Sequence, residues 1–249
     1  MIQNKSVPAQ CLFCANPANS REDLWPLWVL ERVNTREKIR RTIGKKASYH
    51  TVSRKIRIKS VCTTCNNEWM SKLEEQCIPL IGSLLEDVAF RLDSSTQLLV
   101  ALWTTKIAMV LDSLKENPKK FYLRTDCEKL KDTRSIPAGT TIWMGRYFGR
   151  TLHTGFATFT ALDKSVPAAD CSTMTIVIGH LILEVTSVRF RHEYRNRVVG
   201  FQPNPGRWDQ LLIPIWPTVS DAAFWPPPLS FRNSGPLHIG HLLNRWRPR

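Results

Sequence analysis

Cys11-Leu-Phe-Cys14 and Cys62-Thr-Thr-Cys65, separated by 47 residues, decide how the rest of the chain is read. A C-x-x-C turn places two sulfurs within reach of one ion, and two such turns complete a tetrahedral thiolate shell that suits zinc. With no open position the ion is structural, and its binding energy becomes folding energy for a segment too short of core to fold alone. Cys77, Cys127 and Cys171 have no partner at such spacing and are expected to be small buried apolar residues. The N-terminus, MIQNKSVPAQ, lacks the apolar core of a signal peptide. The expected location is therefore cytoplasmic, where paired cysteines read as metal ligands rather than disulfides.

Outward from the cysteines, the composition is that of a globular protein: 249 residues, 43% hydrophobic and 22% charged. Disorder over most of the length is excluded. The formal charge is +14, which favours a polyanionic partner, usually nucleic acid. That charge is uneven. Residues 1–75 hold 14 basic and 7 acidic side chains, 76–188 hold 12 and 11, and 189–249 hold 9 and 3, all nine being Arg. Between the cysteine pairs, Arg36 to Lys59 carries ten basic residues against one acid, Glu37. Arg40, Arg41, Lys45, Lys46, Arg54, Lys55 and Arg57 are the expected phosphate contacts. Lys106 interrupts the best apolar run, Leu98 to Leu111, before it reaches the ~18 residues that span a bilayer, so no membrane partner is expected.

Periodicity supplies the elements. Pro26 suits the first position of a short helix to about Asn34. Alternation from Tyr49 to Val61 predicts a strand running into the second cysteine pair. From Asn66, the spacing of Trp69, Met70, Leu73 and Cys77 predicts a helix that breaks near Pro79. A second helix is expected from Ser95 to Lys115, capped by Ser94 or Ser95. The period then falls towards two. Strands are expected at 140–146, 152–162, 172–178 and 181–190, with Gly179-His180 as a hairpin tip. Another is expected over Trp208–Trp216, held to an edge by Pro214. Trp25, Trp28, Trp69, Met70 and Leu73 read as packing, and Glu74 as a solvated acid.

Two further stretches carry a resemblance. Ser20-Arg-Glu22-Asp23-Leu-Trp-Pro26-Leu-Trp28 follows the first cysteine pair, and Asn66-Asn67-Glu68-Trp69-Met70-Ser71 follows the second. Over residues 11–75 the chain resembles the HNH, or ββα-metal treble-clef, endonuclease superfamily. It is most similar to a bacterial subgroup with two C-x-x-C pairs and a Cys-Asn-Asn-x-Trp-Met-Ser motif. The resemblance implies that Glu22 and Asn66 hold a catalytic Mg²⁺ or Mn²⁺. It also implies that the residue after Glu22 is the general base. The family has His there and this chain has Asp23. A carboxylate is a weak base at neutral pH but a hard oxygen ligand, so Asp23 either joins the ion's shell or leaves the site inactive. His50 could supply an imidazole or be an exposed strand residue; Asn66 and Asn67 could equally cap a helix.

The expected fold class is α+β: a zinc-stapled ββα-metal module over 1–78, then an accessory domain over 79–249 with helices at about 80–116 and a β-rich, antiparallel remainder. The expected function is metal-dependent hydrolysis of nucleic-acid phosphodiesters, DNA before RNA. Catalysis is assigned to Glu22, Asp23 and Asn66, with structural zinc on Cys11, Cys14, Cys62 and Cys65. The alternative is an inactive zinc-dependent nucleic-acid-binding protein.

Overall fold

The computed structural model describes residues 9–33, 40–43, 46–49, 57–115, 120–163, 166–190, 201–202, 210–218, 220–232 and 247–248. Helix and strand are mixed in an α+β arrangement. Strand β1 (Ser20–Asp23) leads into helix α1 (Leu27–Val33). Strands β2 (Arg40–Ile43) and β3 (Lys46–Tyr49) pair antiparallel, and β4 (Arg57–Val61) then returns to pair antiparallel with β1. Of the strand expected over 49–61, residues 57–61 form β4, whereas Tyr49 ends β3 in a separate strand pair. Residues 50–56, with His50, Arg54 and Lys55, lie outside the described residues, as does Lys45.

After β4 the chain turns helical without a break. A single turn, α2 (Thr63–Cys65), runs into a π-helical stretch, Asn66–Met70, and on into α3 (Ser71–Leu85). The predicted break at Pro79 does not occur, because Pro79 lies inside α3. Proline there removes one backbone hydrogen bond and crowds the preceding turn. Beyond it, Ile81 and Leu84 are wholly buried, and that packing holds the last turns helical. The domain boundary expected at residue 78 falls within this helix.

Strand β5 (Phe90–Asp93) precedes α4 (Ser94–Ser113), the central helix. Its cap is Asp93 rather than Ser94 or Ser95. The Asp93 carboxylate accepts from the Thr96 backbone N–H at 2.8 Å and from the Ser95 hydroxyl at 2.7 Å. Those bonds, the Thr96 N–H first, hold its carboxyl down at about 2. Helix α4 is the one described helix long and apolar enough to cross a membrane, and most of it is buried within the fold. Thr104 and Thr105 satisfy their buried hydroxyls on the carbonyls of Val100 (2.7 Å) and Ala101 (2.8 Å). Helix α5 (Arg124–Thr133) follows.

The β-rich part is a long antiparallel ribbon of β6 (Thr140–Asp163) and β7 (Val166–Phe190). It replaces the four separate strands expected. The two strands connect between Asp163 and Val166, so Gly179-His180 is no hairpin tip. Gly179 instead marks an irregularity, where Arg146 pairs with Leu181 but Thr151 is the next residue to pair, with Gly179. Its φ of +58° explains why glycine stands there. A glycine that bends a ribbon and one that ends it look alike in sequence. The irregular stretch packs on α1 and α3: a Cβ at Gly179 would lie 3.6 Å from Val33 of α1 and 3.7 Å from the Leu85 carbonyl of α3.

Strand β8 (Phe201–Gln202) follows. Strand β9 (Leu212–Trp216) pairs with β6 and seats Pro214 opposite Trp143. Strand β10 (Ala222–Trp225) pairs with β5, β11 (Ser230–Phe231) lies parallel to β6, and β12 (Arg247–Pro248) pairs with β8. One buried cluster runs from Phe13, Trp25 and Val61 through Trp69, Met70 and Leu73 to Trp103, Ile107, Ile176 and Leu183. The tryptophans and aliphatics expected as packing belong to it.

Candidate functional site

Residues 9–18 form a tight knuckle. Cys11 N–H donates to the Asn16 carbonyl (2.8 Å), and Ala18 N–H donates to the Ala9 carbonyl (2.7 Å). Leu12 N–H reaches across to the Ser60 carbonyl of β4 (2.8 Å) and so joins the knuckle to the second cysteine pair. Cys62 caps α2, its sulfur accepting from the Cys65 N–H at 3.3 Å, while Asn19 Oδ1 accepts from the Thr63 N–H at 2.9 Å. The expected helix cap at Asn66 or Asn67 is thus supplied one turn earlier.

The result is four sulfurs, from Cys11, Cys14, Cys62 and Cys65, all within 4.8 Å of one another. The Cys14 and Cys62 sulfurs are 3.5 Å apart, and those of Cys14 and Cys65 3.6 Å. Such a cluster could hold a metal ion, and four soft thiolates suit zinc. Burial pushes the Cys62 thiol up, but hydrogen bonds from the Cys65 N–H and the neighbouring thiols outweigh it and hold it at about 7. Burial pushes Cys65 up instead. Cys77, Cys127 and Cys171 are buried elsewhere, as expected.

Directly beyond the cysteines, β1 faces the helical run. Ser20 accepts from the Asn66 carboxamide nitrogen at 3.0 Å, which ties β1 to the π-helical stretch. Glu22 is buried at 6% exposure. Its Oε1 accepts from Lys106 Nζ of α4 at 3.3 Å, and the same nitrogen donates to Glu74 Oε1 of α3 at 2.7 Å. Glu74 is therefore not the solvated acid expected, and Lys106 is more than a break in an apolar run. Glu22 Oε2 is buried and meets no hydrogen-bond partner among the described residues. Asn66, Asn67, Met70, Ser71 and Glu74 line a cleft of about 300 Å³. It lies along the π-helical stretch, a distortion often found at functional sites.

Burial alone would lower the pKa of Lys106, yet the Glu22 and Glu74 carboxylates reverse that and hold the ammonium charged. Burial raises Glu22, and Lys106 offsets only part of the rise. Asp23 takes a different environment. Strand alternation turns it to the opposite side from Glu22, where it is part exposed and accepts from Arg57 Nε at 3.3 Å. Of the three residues assigned to catalysis, Glu22 thus meets Lys106 of α4 and Asn66 meets Ser20 of β1, whereas Asp23 meets Arg57 of β4. Arg40 and Arg41 lie on β2 and Lys46 on β3, the hairpin between the cysteine pairs.

Comparison with known proteins adds no relative: no family model, no curated protein and no solved structure matches the chain.

Proposed function

We propose that this chain is an HNH-like, metal-dependent endonuclease that hydrolyses nucleic-acid phosphodiesters, DNA before RNA, on a zinc-stapled scaffold. One observation carries the reading. An antiparallel strand pair followed by a helix sits on a four-cysteine cluster and brings Ser20 and Glu22 of β1 against Asn66 and, through Lys106, Glu74, beside a cleft. The donor set fits Mg²⁺ or Mn²⁺: carboxylate and carboxamide oxygens are hard ligands, and Glu22 Oε2 is buried without a partner among the described residues. A divalent ion bound there would polarise a phosphate and stabilise charge on the leaving oxygen. The chain's own residues do the rest. Asn66, tied to Ser20, keeps its carboxamide at the cleft. Glu22 presents a fixed carboxylate. The basic β2–β3 hairpin holds the phosphate backbone. Plasmid nicking should require added Mg²⁺ or Mn²⁺. It should fall to background in Glu22→Gln, with nucleic-acid affinity and zinc content retained. Nicking by Glu22→Gln at the parent's rate would end this assignment.

A second reading, nucleic-acid binding without hydrolysis, is favoured by Asp23. It stands where the resembling family has its base, and it pairs with Arg57 instead of joining Glu22. An inert parent that still binds DNA would decide for this reading. In either case Arg40→Gln/Arg41→Gln/Lys46→Gln should weaken binding across sequences. The slope of log affinity against log salt should drop by about 0.9 for each phosphate that the variant no longer neutralises. An unchanged slope would make the hairpin a solvated surface only.

A further inference from the structure

The Lys106 ammonium is a buried charge shared between two elements. It sits at the middle of the most buried helix, 2% exposed, and is delivered to two acids from two other elements. A buried ion costs much desolvation energy, and an aliphatic side chain there would pack without that cost. The ammonium lets two carboxylates stand together, the buried Glu22 and the cleft-lining Glu74, where alone they would repel one another or take up a proton. It occupies Oε1 of each acid and leaves Glu22 Oε2 buried with no hydrogen-bond partner among the described residues. Glu74 meanwhile lines the cleft, its side chain 22% exposed.

We propose that Glu22 and Glu74 form one acidic pair that takes a divalent cation at the cleft, and that Lys106 is the positioning residue holding the two carboxylates together. The proposal rests on the nuclease reading for its purpose and adds two residues to it: Glu74, which reads in sequence as solvated, and Lys106, contributed from outside the cysteine-bounded segment. With both acids ionised and the ammonium in place, the three groups would carry a net charge of −1, which attracts a divalent ion. Carboxylate oxygens of this kind select Mg²⁺ or Mn²⁺ over the soft-ligand metals of the cysteine cluster.

The test uses the full zinc-loaded chain and Mn²⁺ alone, followed by electron paramagnetic resonance and by thermal melting, with no nucleic acid present. The parent should bind one Mn²⁺. Glu74→Gln, at a part-exposed position, should keep its melting temperature and bind Mn²⁺ about tenfold more weakly. Lys106→Met leaves the buried Glu22 and the part-exposed Glu74 without a cation. It should melt lower than the parent and be rescued by Mn²⁺, which replaces the missing charge and stabilises the form it binds. The rescue should vanish in Lys106→Met/Glu74→Gln. A purely structural lysine would give the melting loss with no metal rescue. If Glu74→Gln binds Mn²⁺ as the parent does, or the parent binds none, the proposal is overturned whatever Lys106→Met does. If Mn²⁺ binds as described but the parent never nicks DNA, the acidic pair stands and the nuclease reading falls.

Discussion

Cys62→Ser is expected to strip zinc from the chain and to unfold the segment before α3, the largest single effect of any substitution. Cys62 has three duties at once. Its sulfur lies 3.5 Å from that of Cys14, accepts from the Cys65 N–H that opens α2, and accepts from the Asn16 carboxamide at 3.9 Å. Serine could cap the turn but offers a short, hard oxygen to a soft site. Structural zinc contributes on the order of 10 kcal/mol in small domains, comparable with the whole stability of an ordinary fold. The knuckle over residues 9–18 has little else to hold it, since Phe13 and Ala18 are among its few wholly buried apolar side chains. Elemental analysis should find one zinc in the parent and none in the variant, and far-ultraviolet dichroism should report the lost structure. Cys77→Ala is the control. That thiol donates only weakly to the Leu99 carbonyl at 3.7 Å and should leave zinc content unchanged. Full zinc in Cys62→Ser would refute the four-thiolate site.

Glu184→Gln is expected to make the protein more stable at pH 8 and to change little at pH 4. Glu184 is wholly buried on β7, and its only described hydrogen bonds come from the hydroxyls of Thr173 (2.6 Å) and Thr175 (2.5 Å). Burial raises its carboxyl from the ordinary 4.5 to about 8, the threonines offsetting only part of the rise. The folded state therefore holds a proton that the unfolded chain releases. Its contribution is whole below pH 4.5 and is lost as pH climbs towards about 8, at ~1.4 kcal/mol per pH unit. Summed across that window, the loss is on the order of 4 kcal/mol. Glutamine is neutral throughout, so the variant's urea midpoint should stay nearly flat where the parent's falls. Parallel pH profiles for the two proteins would show that Glu184 does not titrate in this window.

What the sequence reveals and hides follows from the range of the interactions. The cysteine cluster is legible because each C-x-x-C turn is local and two matching turns imply one ion. Helix α1 and the edge strand holding Pro214 are legible because they follow local proline chemistry. Pro79 misleads for the opposite reason: its local cost is outweighed by burial of Ile81 and Leu84, which no window of sequence displays. Lys106 is the extreme case. Its acids lie 84 and 32 positions away, so in sequence it is only a charge spoiling an apolar helix. Glu74 is hidden with it. Resemblance alone singles out Glu22 and Asn66, and only the folded chain supplies their partners, Lys106 and Ser20.

The burial of Lys106 also makes Glu22 and Glu74 depend on a residue that is synthesised after both of them. A chain made from its N-terminus has all four thiols available as soon as Cys65 emerges, so the cysteine cluster can close while α4 is still unmade. Until residue 106 follows, Glu22 and Glu74 lack the ammonium that they share in the folded chain. Only when the whole apolar helix from Ser94 to Ser113 has formed and docked does its lysine reach them. A chain that ends before residue 106 lacks the ammonium shared by Glu22 and Glu74, and with it the arrangement on which the proposed cation site rests.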